Sequence, residues 1–487
     1  MNVLLVNPRY KGFSEIPPLG LECLAAPLLR EGIDASILDL DICSPEEGND
    51  ALRDTIRRSS PQFVGVTAMS HTFPSAREVC EIAKNLNPAV LTVMGGIHAT
   101  VMFDDILRKQ DDIDVCVRGE GELSFQELIL RYTAGQAFAG IDGISYRDDG
   151  KIIHNADRAL QKNLNDLPKP AYHLVRNEVY KTRSISSSRG CHHGCTFCSI
   201  QAQYRRTVRT RDAVTLAEEI KTLADGGARR IMFTDDNFTF SLNRVREICS
   251  WIQRLGLAGR VEFYAEGRIA DICRNPIMAS ILADAGFRGL YVGAESGSVE
   301  VLDYYRKGAG PEDIIQGVVH CIEQNLTPVV NFILFGPKDT IDTVRETIRL
   351  ARQIFEMGAE IVYAETLIPY PGTPIQEALV RDGKFREERG IYYFKSYHDI
   401  DMEWFLRLCN AARACVGFIH TEDRYLAHQK TYFELGCLDE LLCGRIPARF
   451  NDLYGRYIGR SREVLPANIE EIYRYMEAAL RGTRAQQ

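Results

Sequence analysis

Three cysteines in the run Arg189-Gly190-Cys191-His192-His193-Gly194-Cys195-Thr196-Phe197-Cys198 constrain this chain more than any other feature. They are spaced C-x3-C-x2-C and follow a short stretch, Arg183 to Ser188, that reads as a strand. A loop at a strand end can turn three such thiolates toward one iron-sulfur cube and leave its fourth iron without a protein ligand. An iron left open in this way is a place for a substrate or cofactor to bind. Structural zinc is the competing reading. It needs a fourth ligand, usually from a second and distant Cys or Cys-His pair, and the immediate candidates are only His192 and His193.

The cysteine loop lies inside a long alternation of strand and helix patterns. At 487 residues the chain exceeds what one core usually holds, so two or three domains are expected. In residues 1–135, the apolar runs Val3 to Val6, Ala35 to Leu40, Phe63 to Val66 and Ala89 to Met94 alternate with helical patterns, and Asp114 to Val117 reads as a fifth strand. That rhythm predicts an N-terminal Rossmann-like, doubly wound parallel sheet, whose ligand lies beyond the carboxyl ends of the strands. The loops there are Asn7-Pro8-Arg9, Thr67-Ala68-Met69-Ser70, Gly95-Gly96-Ile97-His98 and Arg118-Gly119-Glu120-Gly121-Glu122, with Pro17-Pro18-Leu19-Gly20 before the first helix. Small residues at these tips let a large, flat ligand approach the backbone. A nucleotide is the plainer alternative, but neither G-x-G-x-x-G nor G-x-x-x-x-G-K-[ST] is present.

Residues 136–180 read as a connector: a small hairpin turning at Asp148-Asp149-Gly150, then the extended linker Asn165-Asp166-Leu167-Pro168-Lys169-Pro170. Residues 181–385 alternate again and predict a partial TIM-like (β/α)6 barrel, with chemistry at the strand tips. Its later strands are Arg230 to Thr234, the runs ending at Tyr264-Ala265-Glu266-Gly267-Arg268 and Tyr291-Val292-Gly293-Ala294-Glu295-Ser296-Gly297, then Val329 to Pro337 and Thr366 to Pro374. Residues 386–487 look mainly helical, over Glu403 to Cys415, Asp439 to Tyr457 and Asn468 to Leu480, and are expected to form a cap on the barrel. Tyr392, Tyr393, Tyr397, His398 and Trp404 in that cap are either pocket lining or packing. Cys409, Cys415, Cys437 and Cys443 do not have cluster or zinc spacing and read as buried thiols.

The Met1 to Pro8 start carries no basic leader, and no apolar run approaches the ~20 residues that span a bilayer. Scattered cysteines fit a reducing compartment, so a cytoplasmic protein is expected. A formal charge of −8 argues against general nucleic-acid binding, although a local basic run extends from Tyr204-Arg205-Arg206 to Arg211.

From Met1 to about position 385, these motifs and their order resemble the cobalamin-binding branch of the radical S-adenosylmethionine (SAM) enzymes. The resemblance implies a 4Fe-4S cluster on Cys191, Cys195 and Cys198. It implies SAM contacts from Asp235, Asp236 and Asn237 after the second barrel strand, from Glu295, Ser296 and Gly297 after the fourth, and from Phe197, Arg268, Asn331 and Pro369. It implies cobalamin contacts from Arg9, Pro18, Leu19, Gly20, Thr67, Ser70, Gly95, Gly96, His98, Gly119, Glu120 and Glu122. A D-x-H-x-x-G cobalt-ligand motif is missing: Gly96 and Val101 flank His98 where Asp and Gly would stand, so no histidine is expected on the lower face of cobalt.

The activity implied is cleavage of SAM to a 5'-deoxyadenosyl radical and methylation of an unactivated carbon through methylcobalamin. The substrate would be a small molecule or a lipid, and the electrons would come from an external donor such as flavodoxin or ferredoxin. Oxidative cyclisation or ring rearrangement is the alternative within the same branch. A non-catalytic cobalamin or redox sensor is the alternative outside it.

Overall fold

Five short runs rich in β-branched residues build the first sheet: β1 (Asn2–Asn7), β2 (Asp34–Asp39), β3 (Phe63–Thr67), β4 (Leu91–Gly95) and β5 (Val115–Val117). The computed structural model describes residues 2–10, 16–175, 179–388, 391–415, 424–443 and 445. The five strands are parallel in the order β2-β1-β3-β4-β5, a doubly wound arrangement whose order reverses between β1 and β3. Buried side chains cover both faces, as a parallel sheet requires.

The hairpin expected in the connector belongs to this sheet instead. Strands β6 (Ile144–Asp148) and β7 (Lys151–His154) extend it, with β6 antiparallel to β5. Asp149 and Gly150 have φ of 44° and 74°, the positive values of a two-residue hairpin turn. Pairing with β6 covers the edge that β5 would otherwise expose, and it buries Ile144 and Tyr146 in the core.

The barrel follows: β8 (Arg183–Ile185), a two-stranded antiparallel pair β9 (Ser188–Arg189) and β10 (Arg209–Thr210), then β11 (Arg230–Phe233), β12 (Glu262–Gly267), β13 (Phe287–Glu295), β14 (Thr327–Ile333) and β15 (Glu360–Ala364). Strands β8, β11, β12, β13, β14 and β15 run parallel in sequential order, the pattern of a six-stranded partial barrel. One face of each strand packs on the outer helices. Phe233, Phe263 and Phe287 meet there, with ring centroids 5.4 to 6.2 Å apart. The alternate residues, among them Tyr264, Glu266, Tyr291 and Asn331, fall outside the fully buried core.

The sixth strand is Glu360–Ala364 rather than Thr366 to Pro374. Pro369 and Pro371 cannot donate to a ladder, so that run forms the loop after the strand, and Pro374 opens the helix Pro374–Arg381. The C-terminal region adds an unexpected hairpin, β16 (Phe385–Glu388) and β17 (Ile391–Phe394), before the helices Met402–Cys415 and Arg424–Leu442. Most of the predicted helix Asp439 to Tyr457, and all of Asn468 to Leu480, lie outside the described residues. Among the aromatics, Trp404 is buried in the barrel core, and the Tyr397 hydroxyl donates to Asp382. Cys409 and Cys437 are buried thiols.

Candidate active site

The carboxyl ends of the first sheet face the mouth of the barrel, and a cavity of ≈ 330 Å³ lies between them. Its deep part is apolar: Leu5, Gly65, Val93, Val117 and Phe125 line it from the sheet and from the helix Gly121–Thr133. Its rim carries strand tips. Of the residues expected at a cobalamin site, Thr67, Gly95, Gly96, Gly119, Glu120 and Glu122 line this cavity, together with Leu19 and Gly20 from the first helix. Gly96 shows why a small residue is needed. Its φ is +90°, and a Cβ there would stand 2.7 Å from the Ala68 carbonyl oxygen. An apolar shaft under a rim of small residues suits a large, flat ligand with an apolar extension, so these residues fit cobalamin.

Four expected cobalamin residues lie elsewhere. Arg9 and Pro18 are absent from the cavity lining. His98 is 2 % exposed on the helix Gly96–Lys109, its Nδ1 3.1 Å from Ser70 Oγ and its ring 4.4 Å from that of Phe73. It borders a separate cavity toward Tyr392, and burial lowers its pKa to about 4, so it is a neutral packing histidine. Glu120 and Glu122 reach the rim, but their carboxylates are held by arginines of the barrel: Arg189 donates to Glu120 at 2.9 Å and to Glu122 at 2.6 Å, and Arg209 donates to Glu120 at 2.8 Å.

The barrel side of the cavity is formed by Ser186, Ser188, Arg189, Gln203, Tyr204, Thr234 and Asp236. The cysteine loop starts here and is tied at many points. The Gly190 amide donates to Asp236 Oδ2 at 2.6 Å, the Thr196 amide to the Tyr305 carbonyl at 3.0 Å, and Gln201 Nε2 to the Cys195 carbonyl at 2.7 Å. Arg268 Nη1 lies 3.6 Å from Cys195 Sγ, while Nη2 donates to the Lys307 carbonyl. Burial raises the thiol pKa of Cys191 and pushes that of Cys198 up to about 11.

Among the described residues, no three His, Cys, Asp or Glu side chains converge on one point as a single zinc ion would require. A cube takes each thiolate on a different iron. Three cysteines on one short, anchored loop with a guanidinium against one sulfur therefore fit a 4Fe-4S cluster better than zinc.

The residues expected to meet SAM divide into two groups. Asp236 and Glu295 stand at barrel tips, Asn331 lies within β14 two residues before its end, and Arg268 stands at the cluster loop. Asp236 reaches the cavity, and burial raises its pKa to about 6. Glu295 has φ +67° at a register shift between β13 and β14, and its Oε1 accepts from Lys307 Nζ at 2.7 Å in a buried ion pair. Glu266, a residue that the resemblance does not mark, stands next to the last position of β12 and is paired with Tyr291. Its side chain is exposed and, among the described residues, has no hydrogen-bond or ion-pair partner. Its pKa is raised to about 7 by desolvation and then by Asp236 and Asp235.

The second group has structural work. Asp235, expected to meet SAM, is wholly buried and held by the segment that leads into the cysteine loop: it accepts from the Ser187 amide and hydroxyl at 3.0 and 2.7 Å and from the Ser188 hydroxyl. Asn237 caps a short turn by accepting from Thr239, and its amide donates to Asp271 at 3.2 Å. Ser296 lies 3.0 Å from Thr347 Oγ1 on the helix Ile341–Glu356, and the Gly297 amide donates to the same hydroxyl at 2.9 Å. Phe197 packs edge-on against Tyr305, with centroids 5.2 Å apart, and Pro369 is buried in the loop after β15.

Residues 11–129 match the family model of the B12 binding domain, and residues 185–351 that of the radical SAM superfamily. The chain is 33% identical over 392 residues to an uncharacterized methyltransferase of Pyrococcus horikoshii, covering 77% of this chain and 83% of that protein. It is 23% identical over 481 residues to the anaerobic magnesium-protoporphyrin IX monomethyl ester cyclase of Cereibacter sphaeroides, covering 93% and 77%. Among solved structures, the cobalamin-dependent S-adenosylmethionine radical enzyme OxsB, with aqua-cobalamin and S-adenosylmethionine bound, superposes with a TM-score of 0.73 at 16% identity over 99% of this chain and 80% of that one.

Proposed function

The chain belongs to the cobalamin-dependent radical SAM methyltransferases, and from that premise we propose that it methylates an unactivated carbon of a small-molecule or lipid substrate held between its two sheets. One observation carries this reading. A single cavity is bordered by the strand tips of the first sheet on one side and by Ser188, Arg189 and Asp236 of the cysteine-loop region on the other.

When bound, the cluster supplies the electron that opens SAM to a 5'-deoxyadenosyl radical, and cobalamin supplies the methyl group. Cys191, Cys195 and Cys198 would hold the cluster, with Arg268 offsetting thiolate charge at Cys195. Asp236, Glu266, Glu295 and Asn331 offer polar side chains for SAM. The strand-tip glycines and the apolar shaft would hold cobalamin. The protein's own contribution is position and exclusion of water: a substrate carbon must reach both reagents without solvent between them. An external one-electron donor of the flavodoxin or ferredoxin type, and operation in the cytoplasm, complete the proposal. Among the described residues no helix is long and apolar enough to cross a membrane.

The test begins with anaerobic reconstitution with iron, sulfide and hydroxocobalamin, followed by metal analysis of wild type and a C191A/C195A/C198A variant. About four irons and one cobalt per chain are expected in wild type, with only the iron lost in the variant. Iron without cobalt would remove the methyl-transfer step. Oxidative cyclisation is a second reading, favoured by the likeness to the cyclase over 93% of this chain. Mass spectrometry separates the two, since methyl transfer adds 14 mass units (about, for CH2) to the product and cyclisation does not.

A further inference from the structure

Glu120 and Glu122 follow Gly119 on the loop after β5, and this loop forms part of the cavity rim. Arg189 ends β9 and immediately precedes Gly190 and Cys191. Four charges meet between these elements: Arg189 bridges Glu120 and Glu122, and Arg209 of β10, paired in register with Arg189, holds Glu120 from the other side. The side chains are 9 to 18 % exposed, so the network is largely out of water. The connector is tied in as well. The Gln161 amide donates to Glu120 at 3.1 Å, and its carbonyl accepts from Arg209 at 2.8 Å.

This arrangement also explains the basic run noted in the sequence. Arg209 and Arg211 are consumed by Glu120 and Glu219, Arg205 pairs with Asp157, and Arg206 donates to the His192 carbonyl over the cysteine loop. The run joins parts of this chain to one another.

Separating one partner of such a network strands the other as an uncompensated buried charge, so the linked segments move together. We infer that Arg189, with Glu120 and Glu122, is a positioning residue that couples occupancy of the cavity by cobalamin to the geometry of the cluster loop, each cofactor favouring retention of the other. This rests on the cofactor reading proposed above. A ligand fixing the Gly119 to Glu122 rim fixes Arg189, and Arg189 is covalently joined to the loop whose Gly190 amide is held by Asp236. Coupling between two sites is reciprocal, so the loaded cluster strengthens cobalamin binding by the same factor.

The test titrates hydroxocobalamin anaerobically into full-length protein with and without its cluster, reading Kd from the absorption spectrum, with no turnover required. In wild type the cluster-loaded form is expected to bind about fivefold or more tightly. In E122Q and in R189K the ratio falls toward one. D225N, which removes the exposed pairs to Lys221 and Arg260, keeps the wild-type ratio. Iron retained at equilibrium against a chelator gives the reciprocal readout, raised by cobalamin in wild type and not in E122Q.

A wild-type ratio of one overturns the coupling whatever the variants do, and so does an unchanged ratio in E122Q or R189K. Absence of cobalamin binding to wild type in either state overturns the cofactor reading itself, and with it the coupling. Thermal melts of each variant identify any loss of fold, and the wild-type ratio still decides the matter then.

Discussion

Arg268 and Cys195 meet through a guanidinium nitrogen 3.6 Å from a thiol sulfur, in a place where both side chains are buried. A fixed positive charge beside a thiolate ligand lowers the cost of adding an electron to the cluster that the thiolate holds. Replacing Arg268 with Met should therefore make the reconstituted cluster harder to reduce. A fall in midpoint potential of about 60 mV, tenfold in the one-electron equilibrium, is expected in an EPR-monitored redox titration. Iron content should remain near the wild-type value. An unchanged potential in protein of normal iron content would leave Arg268 with only its hydrogen bond to the Lys307 carbonyl.

Gly190 is the point where backbone geometry limits the cysteine loop. Its φ is +91°, and a Cβ there would lie 2.1 Å from the Thr207 carbonyl oxygen and 3.1 Å from Tyr204 Cβ. G190A must displace the β9 to β10 pair or rotate the loop, at about 2 kcal/mol or more. Reconstituted G190A is expected to hold less than about a quarter of the wild-type iron. Full iron loading at an unchanged melting temperature would show that the loop tolerates the shift.

How far the sequence alone reaches is visible at particular positions. The alternation of strands and the cysteine spacing are local patterns, so both sheets and the cluster loop were legible. Chemistry at strand tips was legible for the same reason. Which of two adjacent tip residues faces the cavity was not. Asp235 and Asp236 are the same residue type, but the loop that follows β11 turns one under the cysteine loop to Ser187 and Ser188 and the other to the rim. Glu120 and Glu122 read as ligand residues because their partner, Arg189, is 69 and 67 positions away. The hairpin read as a connector because pairing with β5 is a tertiary fact. Glu266 stands in the sequence only as one residue of a strand end, because nothing local marks a carboxylate whose desolvation and neighbours are set by the fold.

The division between Asp235 and Asp236 can be tested directly. In D235N an amide N–H would oppose the Ser187 donors within a fully buried site, costing about 1–3 kcal/mol of stability. D236N loses only charge at the rim and keeps an oxygen for the Gly190 amide. Denaturant melts should therefore move for D235N, whereas D236N should weaken SAM binding about tenfold in equilibrium dialysis with little change in stability. The reverse pattern would return Asp235 to the ligand site.

Glu266 makes the protein's stability depend on pH in a direction that can be worked out. Its pKa is raised to about 7 in the folded protein from 4.5, first by desolvation and then by Asp236 and Asp235. A raised carboxyl pKa means that the folded state holds its proton more tightly. The associated stability is complete below pH of about 4.5 and is lost as pH rises through about 7. Asp236, with a pKa near 6, acts in the same direction. E266Q removes the Glu266 contribution and also relieves the repulsion at Asp236. Melting of the cofactor-free protein, followed from pH 5 to pH 8, should show wild type losing ground to E266Q steadily across that interval. Parallel curves would mean that water entering through the open barrel mouth solvates the carboxylate fully. If the curves diverge, added SAM should narrow the gap at pH 8, because its ammonium group favours the ionised carboxylate that the empty barrel disfavours.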